Sequence, residues 1–297
     1  MTQGMYSIKD LERLTGIKAH TIRIWEKRYG VVKPNRTHTN IRYYNDLDLK
    51  KLLNIAILIN HGFKISYLAT LPDSTLNEKV VDITYKPSNA ASQIESLILA
   101  MISLDEIKFE KTISMATINL GFENTILEII YPFLERIGIL WQTGSINPAQ
   151  EHFVSNLLRQ KLLVAIDGQG GRPKADAKRF MLFLPENELH ELGLLFYSYL
   201  VRKSGNKIIY LGQSVPFNDL IEVSKAKEPD VLVTSITSPI HDQSTQAYID
   251  HLAATFPKQK IFITGIQMQN NTLRLPSNVK KISNVTEFKE ELTANFG

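Results

Sequence analysis

Glu188-Leu189-His190-Glu191-Leu192-Gly193 follows a strand-like apolar run, Arg179 to Leu184, and opens a helix-like one. The histidine therefore stands at the carboxyl end of a strand, where an open parallel sheet offers side chains to a ligand. Downstream, strand-like and helix-like segments continue to alternate. Strands are expected at 179–184, 207–211, 230–236, 260–264 and 279–282, and helices at 190–204, 216–227, 242–256 and 285–295. Asn284-Val285-Thr286-Glu287 supplies a capping box for the last helix. This alternation predicts an α/β doubly wound parallel sheet over residues 178–297. Glu188, His190, Gly193, Gly212, Thr234, Ser235, Thr237, Thr264 and Gly265 collect at its ligand edge. A neutral imidazole nitrogen is a metal ligand, and a carboxylate two residues earlier can orient the other ring N–H.

Upstream of a flexible connector, Asp167 to Pro173, the apolar periodicity is helical. Helices at about 88–102, 105–119, 123–140 and 148–166, joined by short turns, read as a four-helix bundle over 88–167. Asn147-Pro148-Ala149-Gln150 provides an N-cap, a first-turn proline and a capping-box partner for the last of them. Trp141 precedes that connection, and Glu151 and His152 follow it. By themselves these three read as a core tryptophan and a solvated helix start. Residues 73–87, polar and bounded by prolines, are expected to be a linker.

Charge sets the first 72 residues apart: they hold 12 Lys+Arg against 5 Asp+Glu, whereas the remaining chain holds 22 against 25. A polyanion is expected to meet this head. Leu11, Leu14 and Ile17 give a first helix an apolar face, broken by a turn at Thr15-Gly16. A second helix carries Lys18, His20, Thr21, Arg23, Lys27 and Arg28, with Ile22, Ile24 and Trp25 expected to anchor it. In a helix-turn-helix that second helix enters the major groove. The basic, turn-rich stretch Pro34 to Tyr44 suits a β-hairpin wing whose guanidinium forks clamp phosphates. A further helix is expected from Leu47 to Asn60, and a shorter one around Ile65 to Leu71.

The chain has 297 residues, 43% of them hydrophobic, and no cysteine, which excludes disulfides and thiolate metal sites. Its longest apolar runs, such as Leu52 to Ile59, are too short to cross a bilayer, so a cytoplasmic protein is expected. No Ser/His/Asp triad, phosphate loop or paired-carboxylate arrangement suggests independent catalysis.

Thr21-Ile22-Arg23-Ile24-Trp25-Glu26-Lys27-Arg28-Tyr29-Gly30, Pro34-x-Arg36 and Ile41-Arg42-Tyr43-Tyr44 resemble the winged helix-turn-helix of the MerR family. The resemblance implies a homodimer on double-stranded promoter DNA, distorted on binding, with RNA polymerase affected indirectly. His20, Thr21 and Arg23 become base-reading candidates, and Arg28, Arg36, Arg42 and Tyr43 phosphate candidates.

Glu-x-His-x-x-Gly, Ser235-Ile236-Thr237 and Thr264-Gly265 resemble the vitamin B12-binding fold. That implies His190 as the lower axial ligand to the cobalt of adenosylcobalamin or another cobalamin, whose nucleotide tail threads into the protein. Trp141, Glu151 and His152 resemble the cap motif of CarH/LitR-like light-sensing regulators and would cover the cofactor's upper face. Thr237 stands where leucine is usual, Thr264 replaces the first of a glycine pair, and Gln142 stands where light-sensing relatives carry a histidine. The implied function is a transcriptional regulator, a repressor, in which adenosylcobalamin favours a DNA-gripping oligomer, a tetramer assembled from dimers, and light reverses it. Two alternatives stand beside it: a degenerate B12 domain serving as scaffold or sensing another small molecule, and the B12 carrier module of a methyltransferase-type enzyme.

Overall fold

A computed structural model describes residues 5–37, 40–60, 62–84, 90–142, 146–240, 243–269 and 272–296, with the side chains of 81–84 and 139–142 outside that description. The chain divides into two compact units, Met1–Leu157 and Leu158–Gly297.

The first unit begins with α1 (Ile8–Thr15), entered through a capping box between Ser7 and Asp10 and closed by Gly16 at φ 71°. The left-handed glycine turns the chain sharply into α2 (Ala19–Tyr29), as a helix-turn-helix requires. Ile22 is fully buried and anchors α2, but Ile24 is 52% exposed and Trp25 half-buried, so one residue of the expected trio does most of the anchoring. The expected hairpin is present as β1 (Asn35–Arg36) and β2 (Arg42–Tyr43), paired antiparallel; its tip, His38 and Thr39, lies outside the described residues. Tyr6 bridges to Tyr44 beside it, and both are buried.

Helix α3 (Asp46–Asn60) and α4 (Ile65–Leu68) follow. Much of the expected linker is instead α5 (Asp73–Thr84). Leu76 and Val80, one turn apart, are buried, and Asn54 on α3 donates to Asn77 Oδ1 at 2.5 Å. Two apolar residues at i and i+4 suffice for a one-faced helix, too weak a pattern to stand out from a polar segment. Residues 85–87 of that linker lie outside the described residues.

The helical region comprises α6 (Ala90–Ser103), α7 (Glu106–Leu120), α8 (Phe122–Thr125), a π-helical turn at Ile126–Ile130, α9 (Tyr131–Gln142) and α10 (Pro148–Asp167). The third expected helix is thus one run interrupted by a wide turn. Asn147 Oδ1 accepts from Ala149 N at 2.9 Å, and Gln150 Oε1 accepts from Asn147 N at 3.1 Å, completing the expected cap. The boundary between the two units falls within α10.

The second unit is a sheet of β3 (Arg179–Pro185), β4 (Lys207–Val215), β5 (Val231–Ser235), β6 (Lys260–Thr264) and β7 (Val279–Lys281). Its order is β4-β3-β5-β6-β7 and every pairing is parallel. The covering helices are α11 (Leu192–Lys203), α12 (Phe217–Lys227), α13 (Thr245–Thr255) and α14 (Val285–Phe296). Met181, Phe183, Leu232, Ile261 and Ile263 share one core with Tyr248, Ile249 and Leu252 of α13. Alternation turns Phe180, Leu182, Val233 and Phe262 to the other face, where Phe262 meets Phe288 edge-on at 5.8 Å. Strand β4 lies on one side of β3 and β5 on the other, so the order of strand addition reverses at β3, and the crevice at the carboxyl ends of β3 and β5 is the switch point where such sheets bind ligands.

Candidate functional site

The loop between β3 and α11 is built around a buried carboxylate. Asn187 adopts φ 66°, and its N–H donates to Ser214 Oγ at 3.0 Å, while Ser214 N donates to the Glu188 carbonyl at 3.1 Å. Glu188 is 3% exposed. Its Oε2 accepts from the backbone N–H groups of Thr237 and Ser238, at 2.8 and 2.7 Å, beyond the end of β5. Its Oε1 accepts from His190 N at 3.1 Å and contacts His190 Nδ1 at 2.6 Å. One side chain therefore spans the switch-point crevice and fixes the imidazole. Burial alone would raise the Glu188 carboxyl, but the bonds from the His190 ring and the three N–H groups outweigh it and hold it down at about 2. The carboxylate is thus a permanent acceptor at neutral pH.

With Nδ1–H given to that acceptor, the ring's lone pair sits on Nε2, and the His190 side chain is 64% exposed. A coordinating metal needs that donor. His190 precedes α11 rather than starting it, because Glu191 is the N-cap. Glu191, 6% exposed, accepts from Arg159 Nε at 2.5 Å and Tyr210 Oη at 3.0 Å, anchoring the far side of the loop. Neither partner was marked by the sequence reading, since a salt bridge between positions 159 and 191 has no local pattern. Among the described residues no cluster of three or more His, Cys, Asp or Glu could hold a free metal ion.

The other sheet-edge residues divide. Thr237 contributes its backbone N–H to Glu188. Ser235 and Thr264 are register partners on β5 and β6. Gly265, at φ 105°, has no room for a Cβ, which would meet the Ile236 carbonyl oxygen at 2.3 Å; its need for glycine arises within the protein. A Cβ on Gly193 would meet open space. Gly212, at φ 81°, sits where the β3–β4 register shifts. Thr234 is fully buried.

In the first unit, Glu151 and His152 lie in the first turn of α10, Glu151 Oε2 being 3.1 Å from His152 Nδ1 with His152 70% exposed. Trp141 lies in the last turn of α9, and its side chain, like that of Gln142, is outside the described residues.

On the basic head, His20, Arg23 and Arg28 are exposed on α2, with Thr21 half-buried. Arg36 bonds Asn40 Oδ1 at 2.6 Å and so braces the wing turn, and Arg42 lies 4.0 Å from Glu26. Tyr43 is half-buried on the same hairpin. Arg136 of α9 donates to the carbonyls of Leu14 and, at 3.3 Å, of Arg13, capping the end of α1. This tie between α9 and α1 was not legible from spacing.

The winged helix-turn-helix and the helical region each match a known family, and the chain as a whole is similar to regulators that combine them. Residues 6–74 match the MerR HTH family regulatory protein family, and residues 93–165 match the B12 binding domain family. Over most of its length the chain is CarH/CarA-like. It is 26% identical to the HTH-type transcriptional repressor CarH of Myxococcus xanthus, with 87% of each chain covered. It is 25% identical to the HTH-type transcriptional repressor CarA of the same organism, over 77% of this chain and 75% of that one. In fold, the chain is similar to the Methanosarcina barkeri monomethylamine corrinoid protein, with a TM-score of 0.51 and 15% identity, over 64% of this chain and 92% of that one. Among the described residues no helix is long and apolar enough to cross a membrane.

Proposed function

We propose that the chain is a cobalamin-responsive transcriptional repressor of double-stranded promoter DNA, a homodimer that the cofactor assembles into a tetramer. The observation that carries this reading is the Glu188–His190 pair at the switch point of a sheet whose chain also bears a basic helix-turn-helix. Glu188 fixes the ring and its tautomer, Thr237 and Ser238 hold Glu188 through their N–H groups, and His190 would hold the cobalt of a bound cobalamin through Nε2. Ser235, Thr264, Gly265 and Gly193 belong to the same edge, and Trp141, Glu151 and His152 contribute to cofactor binding from the helical region. Bound adenosylcobalamin supplies a cobalt ion that accepts an imidazole and a cobalt–carbon bond that light cleaves.

His20, Thr21 and Arg23 read bases, while Arg28, Arg36, Arg42 and Tyr43 meet phosphates. Signalling requires that the cofactor favour one oligomeric state over another, the tetramer being the state that grips DNA. The scaffold alternative and the carrier-module alternative predict different outcomes in one experiment. The full chain is mixed with adenosylcobalamin in the dark and freed of unbound cofactor by gel filtration. Retained visible absorbance that is lost on His190→Ala supports the proposal. No retained absorbance, or retention indifferent to His190→Ala, sinks it, and retention without any DNA binding favours the carrier module.

A further inference from the structure

The loop that carries His190 lies between a strand and a helix, so side chains must supply much of its order. Within it, Glu191 N donates to the Leu189 carbonyl at 2.9 Å, closing a three-residue turn centred on His190. A single backbone bond contributes too little to hold such a turn by itself. Both of its ends, however, are fixed from outside. Before the histidine, Gln213 Nε2 donates to the Leu189 carbonyl at 2.7 Å and Ser214 N to the Glu188 carbonyl at 3.1 Å, tying them to β4. After it, the buried Glu191 carboxylate divides its oxygens between two elements. Oε1 accepts from Arg159 Nε of α10 at 2.5 Å, and Oε2 from the Tyr210 hydroxyl of β4 at 3.0 Å. The first is a charge-assisted bond, the stronger class. The Glu191 side chain is 7% exposed, which makes the pair costly to break from that side.

This arrangement matters for a ligand that brings a competitor with it. A cobalamin carries its own base on a covalent tether, and a tethered group acts at high effective concentration. A protein imidazole displaces it only if little ordering remains to be done when cobalt arrives. Glu188 orders the ring, whereas Glu191 orders the backbone on the far side of it. Two buried carboxylates, at positions 188 and 191, thus flank the histidine with separate tasks.

We propose that Glu191, held by Arg159 and Tyr210, is a positioning residue that lets His190 outcompete the cofactor's own base for cobalt, so that α10 helps to set the axial ligand. The inference rests on the cobalamin reading above. The probe is cob(II)alamin bound to the full chain labelled with nitrogen-15, freed of unbound cofactor by gel filtration and read by electron paramagnetic resonance. Axial coupling to a labelled protein imidazole gives a doublet, and coupling to the unlabelled base of the cofactor gives a triplet. Wild type shows chiefly the doublet. Arg159→Ala lowers the ratio of doublet to triplet about tenfold, and Tyr210→Phe lowers it about fivefold, the equivalent of one hydrogen bond. Arg159→Lys, which keeps the charge, restores most of the doublet. Should Arg159→Ala lose its native circular dichroism, Tyr210→Phe and Arg159→Lys carry the test. A wild-type pattern in both Arg159→Ala and Tyr210→Phe overturns the positioning role and leaves the cofactor reading intact. A triplet alone in wild type, or no bound cob(II)alamin, overturns the axial-ligand reading and this inference with it.

Discussion

Helix α2 holds His20, Arg23 and Arg28 out to solvent, whereas the loop from Asn187 to Glu191 buries two carboxylates beneath an exposed His190. The first arrangement suits a partner with a repeating charge, to which long side chains can adapt. The second is organised before any ligand arrives: Glu188 has its hydrogen bonds in place and its charge stabilised, so the ring reorganises little on binding. In the head, specificity is left to the partner's shape and sequence. At the sheet edge it is built into the protein.

Replacing Glu188 tests that difference most severely. Glu188→Ala leaves three backbone N–H groups and the His190 ring without their acceptor, and we expect a loss of about 3 kcal/mol in denaturant unfolding. Glu188→Gln, which keeps the shape, should instead weaken cobalamin binding by about 10- to 100-fold in spectral titrations. If both variants matched wild type, the loop would not be preorganised in the sense argued. The depressed carboxyl also sets a pH window: its stabilising contribution is present above the ordinary value of 4.5 and is lost as pH falls toward about 2.

The head should respond more gently. Arg23→Ala is expected to cost about 1–3 kcal/mol in binding to promoter DNA recovered by selection from a random-sequence pool, and to relax sequence preference. Arg28→Ala should lower affinity evenly across sequences and reduce the slope of log affinity against log salt by about 1. If Arg23→Ala behaved like Arg28→Ala, the division of α2 into reading and positioning residues would be wrong.

A smaller effect is expected at Glu95 of α6, which is 4% exposed with Oε2 lacking a hydrogen-bond partner. Burial pushes its carboxyl up to about 7, against the opposing pull of Arg136. A raised carboxyl means that the folded protein binds the proton more tightly than the unfolded chain, so stability falls as pH rises from 4.5 to about 7 and levels off above. Glu95→Gln should flatten that decline and add about 1 kcal/mol at pH 8, measured by urea unfolding. An unchanged pH profile would remove Glu95 as its cause.

The strands of the second unit were legible because each is a short apolar run between turn signals, and β6 falls at 260–264 as its sequence predicts. Strand β4 runs to Val215, beyond the expected 211, because Gly212 and Ser214 take positive φ and carry the strand through a register shift that alternation does not encode. Helix α5 was missed because only Leu76 and Val80 mark its buried face. The pairing of Glu188 with His190 was legible because the two lie two residues apart and their contact is local. Glu191, Arg159, Tyr210 and Arg136 were not found, because their roles arise from contacts between residues far apart in the chain.

The central claim is that a corrinoid held by His190 controls DNA binding by the same chain. It is tested by measuring the affinity of the full chain for selected promoter DNA in the dark, with and without adenosylcobalamin, for wild type and His190→Ala. The account predicts that the cofactor tightens binding by wild type and has no effect on His190→Ala. Equal affinity with and without cofactor in wild type, or an equal shift in the variant, would contradict it.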